Sequence, residues 1–558
     1  MKRLLLIAAG LSALLCAAWF SSARIEHALG WPPGALSWGP ALFRLLLVFH
    51  GLVAIVAGAR PFRPKIAVAR LDSPISRHVV IVLGLVSLAA LALRLWRVDT
   101  SLWVDEVLTV VYVVRLPLGQ LISTFASQNQ HLLYSLAAHA SVAMFGESSF
   151  ALRLPAVLAG VASIPALYLL GRRVAGEFTA IAASALLAFS YHHVWFSQNA
   201  RGYTTLLLFS ILSTWFWLGI QRRDSLRDKI GFIAATVLGL SVHLTMIFVL
   251  AAQVLVEVFT LLHARKPAGA WRAALWPYVL ACTLAVQVYA LAIPEFLRSG
   301  LHEVSLQSEW TSPIWLLRAT VTSFGAGLAG WIIVIAGAGV ATVGVVSLAR
   351  RSRATAAVFV LPILLGGAVL IASGHNLWPR FFFFGMGFGL LIAMEGLIVT
   401  AGYTARFLGQ ARLAAQAGAA AACLLVVASA ATVPRCYAYP KQDFTGARDF
   451  VERSRAANEP VAVVGLAGVV YTQYYAPRWT GIESAAQLES LDAATPAPWL
   501  VYTLPIEVRT YQPDIWRVVE RDYRPVKIFP GTLQGGGEVY VCRRIQGESN
   551  VSTRRQQK

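Results

Sequence analysis

The sequence predicts an all-α polytopic membrane domain followed by a small α/β domain. Three observations predict it. Only 13% of the 558 residues are charged and 57% are hydrophobic, whereas a soluble domain carries about 25% charge. Long apolar runs recur along most of the chain, and the mean hydropathy is +0.63. After about residue 433 these runs stop, and short strand-like and helix-like segments separated by turn residues replace them.

Apolar segments lie near 4–20, 42–58, 79–96, 154–170, 178–196, 203–220, 230–243, 245–262, 273–293, 327–348, 355–373, 380–400 and 413–432. At roughly 20 residues per crossing they amount to about 13 spans. The pair 230–243 and 245–262 reads either as two spans or as one long tilted helix. The net charge of +20 does not point to nucleic acid, because the basic residues sit in short loops between apolar runs. There they act as topology signals and contacts for anionic lipid. Lys2 and Arg3 put the N-terminus inside. With 230–262 split in two, the loop carrying Arg60, Arg63, Lys65, Arg70 and Arg77 also falls inside. So do Arg172–Arg173, the run 222–229, Arg265–Lys266, Arg350–Arg351–Arg353, Arg406 and Arg412. The first segment also fits a signal peptide with Ser21-Ser22-Ala23 near its cleavage site, which leaves the later topology unchanged.

The organisation that follows has four parts. Residues 1–78 hold two N-terminal helices, and 79–432 form the main membrane domain with a large first outer loop at 97–150. Residues 433–545 form an extracytoplasmic α/β domain, and 546–558 a disordered tail. In the α/β domain, Lys441–Arg455 reads as a helix with Phe444, Ala447 and Val451 on one face. Val461–Leu466, Leu500–Leu504, Val526–Phe529 and Val539–Cys542 read as strands. Cys16, Cys282 and Cys423 fall in apolar runs as packing residues. Cys436 and Cys542 form either a disulfide or two buried thiols.

The outer face collects the polar chemistry. Asp105-Glu106 follows the helix 79–96. Gln128-Asn129-Gln130-His131, Glu147 and Arg153 come next. Tyr191-His192-His193 runs into Ser197-Gln198-Asn199-Ala200-Arg201-Gly202-Tyr203, and Gly374-His375-Asn376-Leu377-Trp378-Pro379-Arg380 completes the set. A carboxylate takes a proton from an attacking hydroxyl, and arginines hold a phosphate bidentately as it leaves. Trp103 and Trp378 offer faces to a sugar or an isoprenoid. Plainer roles stand beside these: Asp105 and Glu106 as helix-capping acids, Arg201 and Arg380 as lipid-snorkelling cations, and the histidines as interfacial residues. Glu395 reads as locally paired, and His243 sits in the short break at the end of 230–243.

The order of the motifs is more telling than any one of them. Trp103-Val104-Asp105-Glu106 is followed by Gln130-His131-Leu132-Leu133-Tyr134 and by Phe145-Gly146-Glu147. Then come Arg153-Leu154-Pro155, Gly171-Arg172-Arg173, Gln198-Asn199-Ala200-Arg201-Gly202-Tyr203 and Trp378-Pro379-Arg380-Phe381. Over roughly residues 79–400 this resembles the protein O-mannosyltransferase-like branch of the GT-C glycosyltransferases (family 39). That branch includes the bacterial aminoarabinose transferase of lipid A. The resemblance implies a GT-C fold in the cell inner membrane with a periplasmic C-terminal domain. It implies sugar transfer from a polyprenyl-phosphate donor to a lipid, glycan or protein acceptor by inverting displacement. The family's acidic pair maps onto Asp105, the expected base, and Glu106, its support. A divalent cation, if one is used, would fall to the same pair. His131, Arg201, Tyr203, His375 and Arg380 are the expected donor-phosphate and substrate contacts. The chain departs from the family in three places. The two prolines after His131 are missing, Gly202 stands where the family has Pro, and Phe381 stands where it often has Tyr. A flippase of lipid-linked sugars, or a non-catalytic membrane subunit, is the competing reading. The first would place its site near the midplane at broken helices or repeats.

Overall fold

The computed structural model describes residues 2–59, 74–125, 130–300, 310, 312–323, 328–457, 459–494, 498–533 and 536–545. The basic loop 60–70, Gln128–Asn129 and the tail 546–558 lie outside the described residues. The chain divides into two units. The first holds Met1–Val98 and Leu116–Val433, and the second Asp99–Arg115 and Pro434–Lys558.

The first unit is helical throughout. Among the described residues, nine helices are long and apolar enough to cross a membrane, or up to eleven if two bent pairs each count as one span. Leu132–Phe145 and Glu177–Ala188 are shorter apolar helices. The ambiguous 230–262 region is two helices, Leu226–Val242 and Met246–His263, broken at His243. Buried large side chains, among them Trp217, Phe232, Phe359, Phe384 and Phe388, fill the middle of the bundle. Helices on its outside expose leucine and valine, as a lipid-facing surface does.

Small residues set the closest helix contacts, as expected where lipid competes for apolar packing. A Cβ on Gly10 would stand 2.6 Å from the Gly51 carbonyl oxygen, and one on Gly58 2.7 Å from Ile7. The N-terminal helices Lys2–Trp19 and Gly39–Ala59 pair along that stripe. The one carboxylate deep in a late helix, Glu395, is locally paired as its position predicts. It accepts from Arg351 Nη2 at 2.6 Å, Ser347 Oγ at 2.7 Å and Thr179 Oγ1 at 3.1 Å. Cys16, Cys282 and Cys423 are exposed on their helices rather than packed.

The second unit is built on a five-stranded mixed sheet. Its strands are β1 (Val461–Val463), β2 (Thr480–Gly481), β3 (Trp499–Thr503), β4 (Tyr523–Phe529) and β5 (Val539–Arg544). The order is β2-β1-β3-β5-β4, with β1 parallel to both neighbours and β5 antiparallel to both of its own. The amphipathic helix forms over Phe444–Ser454 and buries Phe444, Ala447 and Val451, the face the sequence marks. Its N-cap is Asp443, whose side chain accepts from the Gly446 N–H. Cys436 and Cys542 are buried free thiols, and burial pushes the Cys542 thiol up to about 12. Residues 99–115, the start of the large outer loop read from the sequence, group with this sheet domain.

Candidate functional site

In the first unit, four cationic or imidazole side chains converge from distant parts of the chain. His131 precedes the helix Leu132–Phe145 and is 1% exposed. Arg201, also 1% exposed, lies in the turn before the helix Tyr203–Arg223. Arg201 Nη2 stands 3.0 Å from His131 Nε2, and the Gly202 N–H donates to His131 Nδ1 at 3.1 Å. His243, at the break after Leu226–Val242, sets its ring 4.9 Å from that of His131. Tyr203 lies edge-on to His131 at 5.1 Å. Arg380 opens the 3₁₀ turn Pro379–Gly385, and its guanidinium lies 5.3 Å over the Trp378 ring.

The electrostatics of this cluster are one-sided. Burial first, then the charges of Arg201, His243 and Arg380, hold His131 well below the usual histidine range. Burial, Arg201 and Arg380 push His243 down to about 3. Both rings are therefore neutral near pH 7. A neutral imidazole accepts at only one nitrogen. His131 has an obligate donor at each, the Gly202 N–H and the Arg201 guanidinium. The cluster thus brings two guanidinium groups and two imidazole rings into one buried region.

The geometry also accounts for Gly202. A Cβ there would lie 2.7 Å from His131 Nδ1 and 2.6 Å from Val242 Cγ1. Proline would remove the N–H that holds the ring. The departure from the family's Arg-Pro-Tyr at 201–203 therefore fixes His131 by a backbone hydrogen bond, in a loop that has lost its own prolines.

Other sequence candidates sit elsewhere. His375 closes the helix Arg353–Ala372, its N–H bonding the Leu370 carbonyl, and no described contact joins it to His131. Arg153 is fully buried and donates to the Val98 carbonyl at 2.6 Å. His193 is buried against Arg94, with 2.7 Å between His193 Nδ1 and Arg94 Nη2. Arg94 also donates to Ser197 Oγ and to the Ala90 and Ala188 carbonyls. Sequence reasoning passes over Arg94 and gives His243 little weight. An arginine near the end of an apolar run is the available signal for the first. The second has no more than its place at a helix break. Trp378 packs against Trp310 and Trp315, with ring centroids 4.9 and 5.5 Å away.

In the second unit, the acidic pair sits in the first turn of the short helix Val104–Thr109. Asp105 is half-buried and Glu106 fully buried. Glu106 reaches back and accepts the Trp103 N–H at 3.1 Å, the reciprocal half of a capping box. Thr109 Oγ1 donates to the Asp105 carbonyl at 2.7 Å. The capping reading therefore holds for Glu106, and Asp105 beside it is only half-buried. Trp103 is 4% exposed, which makes it a packing residue and not a stacking platform. Among the described residues no group of three His, Cys, Asp or Glu side chains gathers around a cation position.

Residues 130–293 match the family model described as dolichyl-phosphate-mannose-protein mannosyltransferase. The match begins one residue before His131 and takes in Arg201, Tyr203 and His243. It falls within the part of the chain, 79–400, that carries the resemblance read from the motifs. No curated protein sequence matches the chain.

Three solved structures are similar. ArnT from Cupriavidus metallidurans bound to undecaprenyl phosphate is 13% identical with a TM-score of 0.48, over 85% of this chain and 99% of that one. The Archaeoglobus fulgidus oligosaccharyltransferase AglB, in complex with an inhibitory peptide and a dolichol-phosphate, is 11% identical with a TM-score of 0.43, over 86% and 75%. The arabinosyltransferase EmbB from Mycobacterium smegmatis is 12% identical with a TM-score of 0.44, over 75% and 47%.

Proposed function

We propose that this glycosyltransferase moves a sugar from a polyprenyl-phosphate donor to a hydroxyl of an extracytoplasmic lipid, glycan or protein. It does so in the cell inner membrane, with the C-terminal domain periplasmic. The observation that carries the reading is the donor-rich cluster of Arg201, Arg380, His131 and His243. Guanidinium groups are the side chains best suited to hold a phosphate. An apolar cavity of about 370 Å³ in the same unit is lined by Leu240 and Leu244, the near neighbours of His243, and by Phe125, Tyr289 and Phe296. It suits an isoprenoid tail.

The step is a single displacement. The acceptor oxygen gives its proton to the Asp105 carboxylate and bonds to the anomeric carbon. The bond from that carbon to the phosphate oxygen breaks, and its electron pair leaves with the polyprenyl phosphate. Arg201 and Arg380 stabilise the charge gained by the leaving group. One displacement inverts the anomeric centre. Glu106 supports the base by closing the first helical turn.

The test uses the full chain in detergent or liposomes, with a panel of labelled undecaprenyl-phosphate hexoses and pentoses and a crude cell-envelope acceptor fraction. Transfer of label with inverted configuration is the expected result. Movement of intact lipid-linked sugar across liposomes, with no transfer from any donor, would favour the flippase reading.

A further inference from the structure

We infer that Gln442 is a positioning residue for the Asp105 carboxylate, an inference that rests on reading Asp105 as the base. Gln442 is fully buried in the second unit. Its Oε1 accepts the Val104 N–H at 3.0 Å, one residue before Asp105. Its Nε2 donates to Thr503 Oγ1 at 2.8 Å and to the Gly536 carbonyl at 3.0 Å. Only one amide orientation serves all three partners. Turned over, the NH₂ group would face the Val104 N–H, and the oxygen would face a carbonyl.

The anchors of Gln442 are themselves fixed. Thr503 ends β3, is fully buried, and donates its hydroxyl to the Glu538 carbonyl at 2.8 Å. The Thr532 and Leu533 N–H groups bond the Pro440 and Lys441 carbonyls, which pins the segment just before Gln442 to the same turn. The Leu102 N–H donates to the Tyr475 hydroxyl at 2.7 Å. Three consecutive N–H groups therefore have assigned acceptors: Leu102 on Tyr475, Trp103 on Glu106, and Val104 on Gln442. Two of the three come from residues more than 330 positions downstream.

The turn Val104–Thr109 runs on as a π-helical turn, Val110–Val114, and even together they fall short of the roughly 12–15 residues at which an isolated helix becomes marginally stable. The sheet supplies the direction of this segment through Gln442. The C-terminal residues are on this account part of the catalytic apparatus, and not an appended binding module.

The test compares Gln442→Leu, Asp105→Asn and the double variant with wild type, all as purified full chain. Turnover is measured with whichever labelled undecaprenyl-phosphate sugar the wild type uses, and binding with undecaprenyl phosphate itself. Displacing a catalytic group by about 1 Å costs on the order of 100-fold. Gln442→Leu should therefore lower kcat by about that factor, leave undecaprenyl-phosphate affinity within twofold, and cost nothing further in the Asp105→Asn background. Thr503→Val, which loosens one anchor of the amide, should give a smaller loss of the same kcat-only kind. It serves as the test if Gln442→Leu does not fold. Wild-type kcat in the Gln442 or Thr503 variant, or equal losses with and without the Asp105 carboxyl, would overturn the inference. Undiminished turnover in Asp105→Asn alone would instead overturn the base assignment.

Discussion

The cationic cluster and the acidic pair are built in opposite ways. The cluster has no local structure of its own. His131, Arg201, His243 and Arg380 come from four separate breaks between helices, and only the packing of the bundle brings them together. The acidic pair is local, two adjacent residues in the first turn of one helix, with Glu106 accepting the Trp103 N–H three positions back. Its support comes from far away, through Gln442 and Tyr475. A binding site for a charged group can be assembled from element ends, because charge acts over several ångströms. A base must be aimed to within a fraction of that. Under the proposed function, that difference suits the first region to binding and the second to proton transfer.

The sharpest way to break that assignment is Asp105→Asn. Loss of a general base costs about 10²–10⁴ in rate. Turnover should fall by that much while undecaprenyl-phosphate binding, read by tryptophan fluorescence on the same preparation, stays unchanged. A parallel loss of binding would mean that the acidic pair and the cluster do not divide the work. Arg201→Gln should do the reverse. A charge-assisted hydrogen bond is worth about 1.5–3 kcal/mol, so undecaprenyl phosphate should bind about 10- to 100-fold more weakly. kcat at saturating donor should fall less than kcat/KM.

The same contrast explains what could be read in advance. Hydrocarbon periodicity announces a span wherever a helix meets lipid, so the membrane unit was legible, including the break at 243–245 that separates two helices. The helix over Phe444–Ser454 was legible because it buries one face, and four of the five strands because they are short runs of strand-forming residues between turn residues. The two-residue β2 was not, since Thr480–Gly481 carries no periodicity at all. Asp105, Glu106, His131, Arg201 and Arg380 stood out in the sequence as polar residues beside apolar runs. The approach of His243 to His131 was not, because it depends on how two helix ends meet. Gln442 was invisible for the same reason: a glutamine in a polar segment looks like any other until its three partners are known. Gly202 was legible only as a departure from a motif, and the His131 ring supplies its reason.

Gly202→Pro, which restores the residue common in the family, tests that reason at moderate cost. The Gly202 φ of −80° lies near the range proline prefers, so the penalty comes from the lost N–H and the crowding against Val242. One hydrogen bond is worth about 0.5–1.5 kcal/mol net. A lower thermal midpoint and a several-fold weaker affinity for undecaprenyl phosphate are expected, with kcat at saturation close to wild type. A proline variant as stable as wild type that still binds donor fully would show that the Gly202 N–H is not what orients His131.

The smallest effect is the dependence of stability on pH, and its sign follows from the cluster. His131 and His243 are both held below their ordinary value of 6.5 by burial and by the guanidinium groups of Arg201 and Arg380. Above that pH each is neutral whether folded or unfolded, and stability is at its full value. As pH falls through 6.5 the unfolded chain takes up protons that the folded cluster refuses, so stability is lost on acidification. At pH 6 the loss is about 1 kcal/mol or less per histidine, because a tenfold change in a protonation constant is worth about 1.4 kcal/mol. A bound phosphate changes the sign of the local field and raises both values toward the normal range. Saturating undecaprenyl phosphate should therefore flatten the fall of the thermal midpoint between pH 7.5 and 5.5, and His243→Gln should remove part of the fall without ligand. An identical pH slope with and without undecaprenyl phosphate would mean that the anion binds away from these two rings, and the division between a binding region and a proton-transfer region would have to be redrawn.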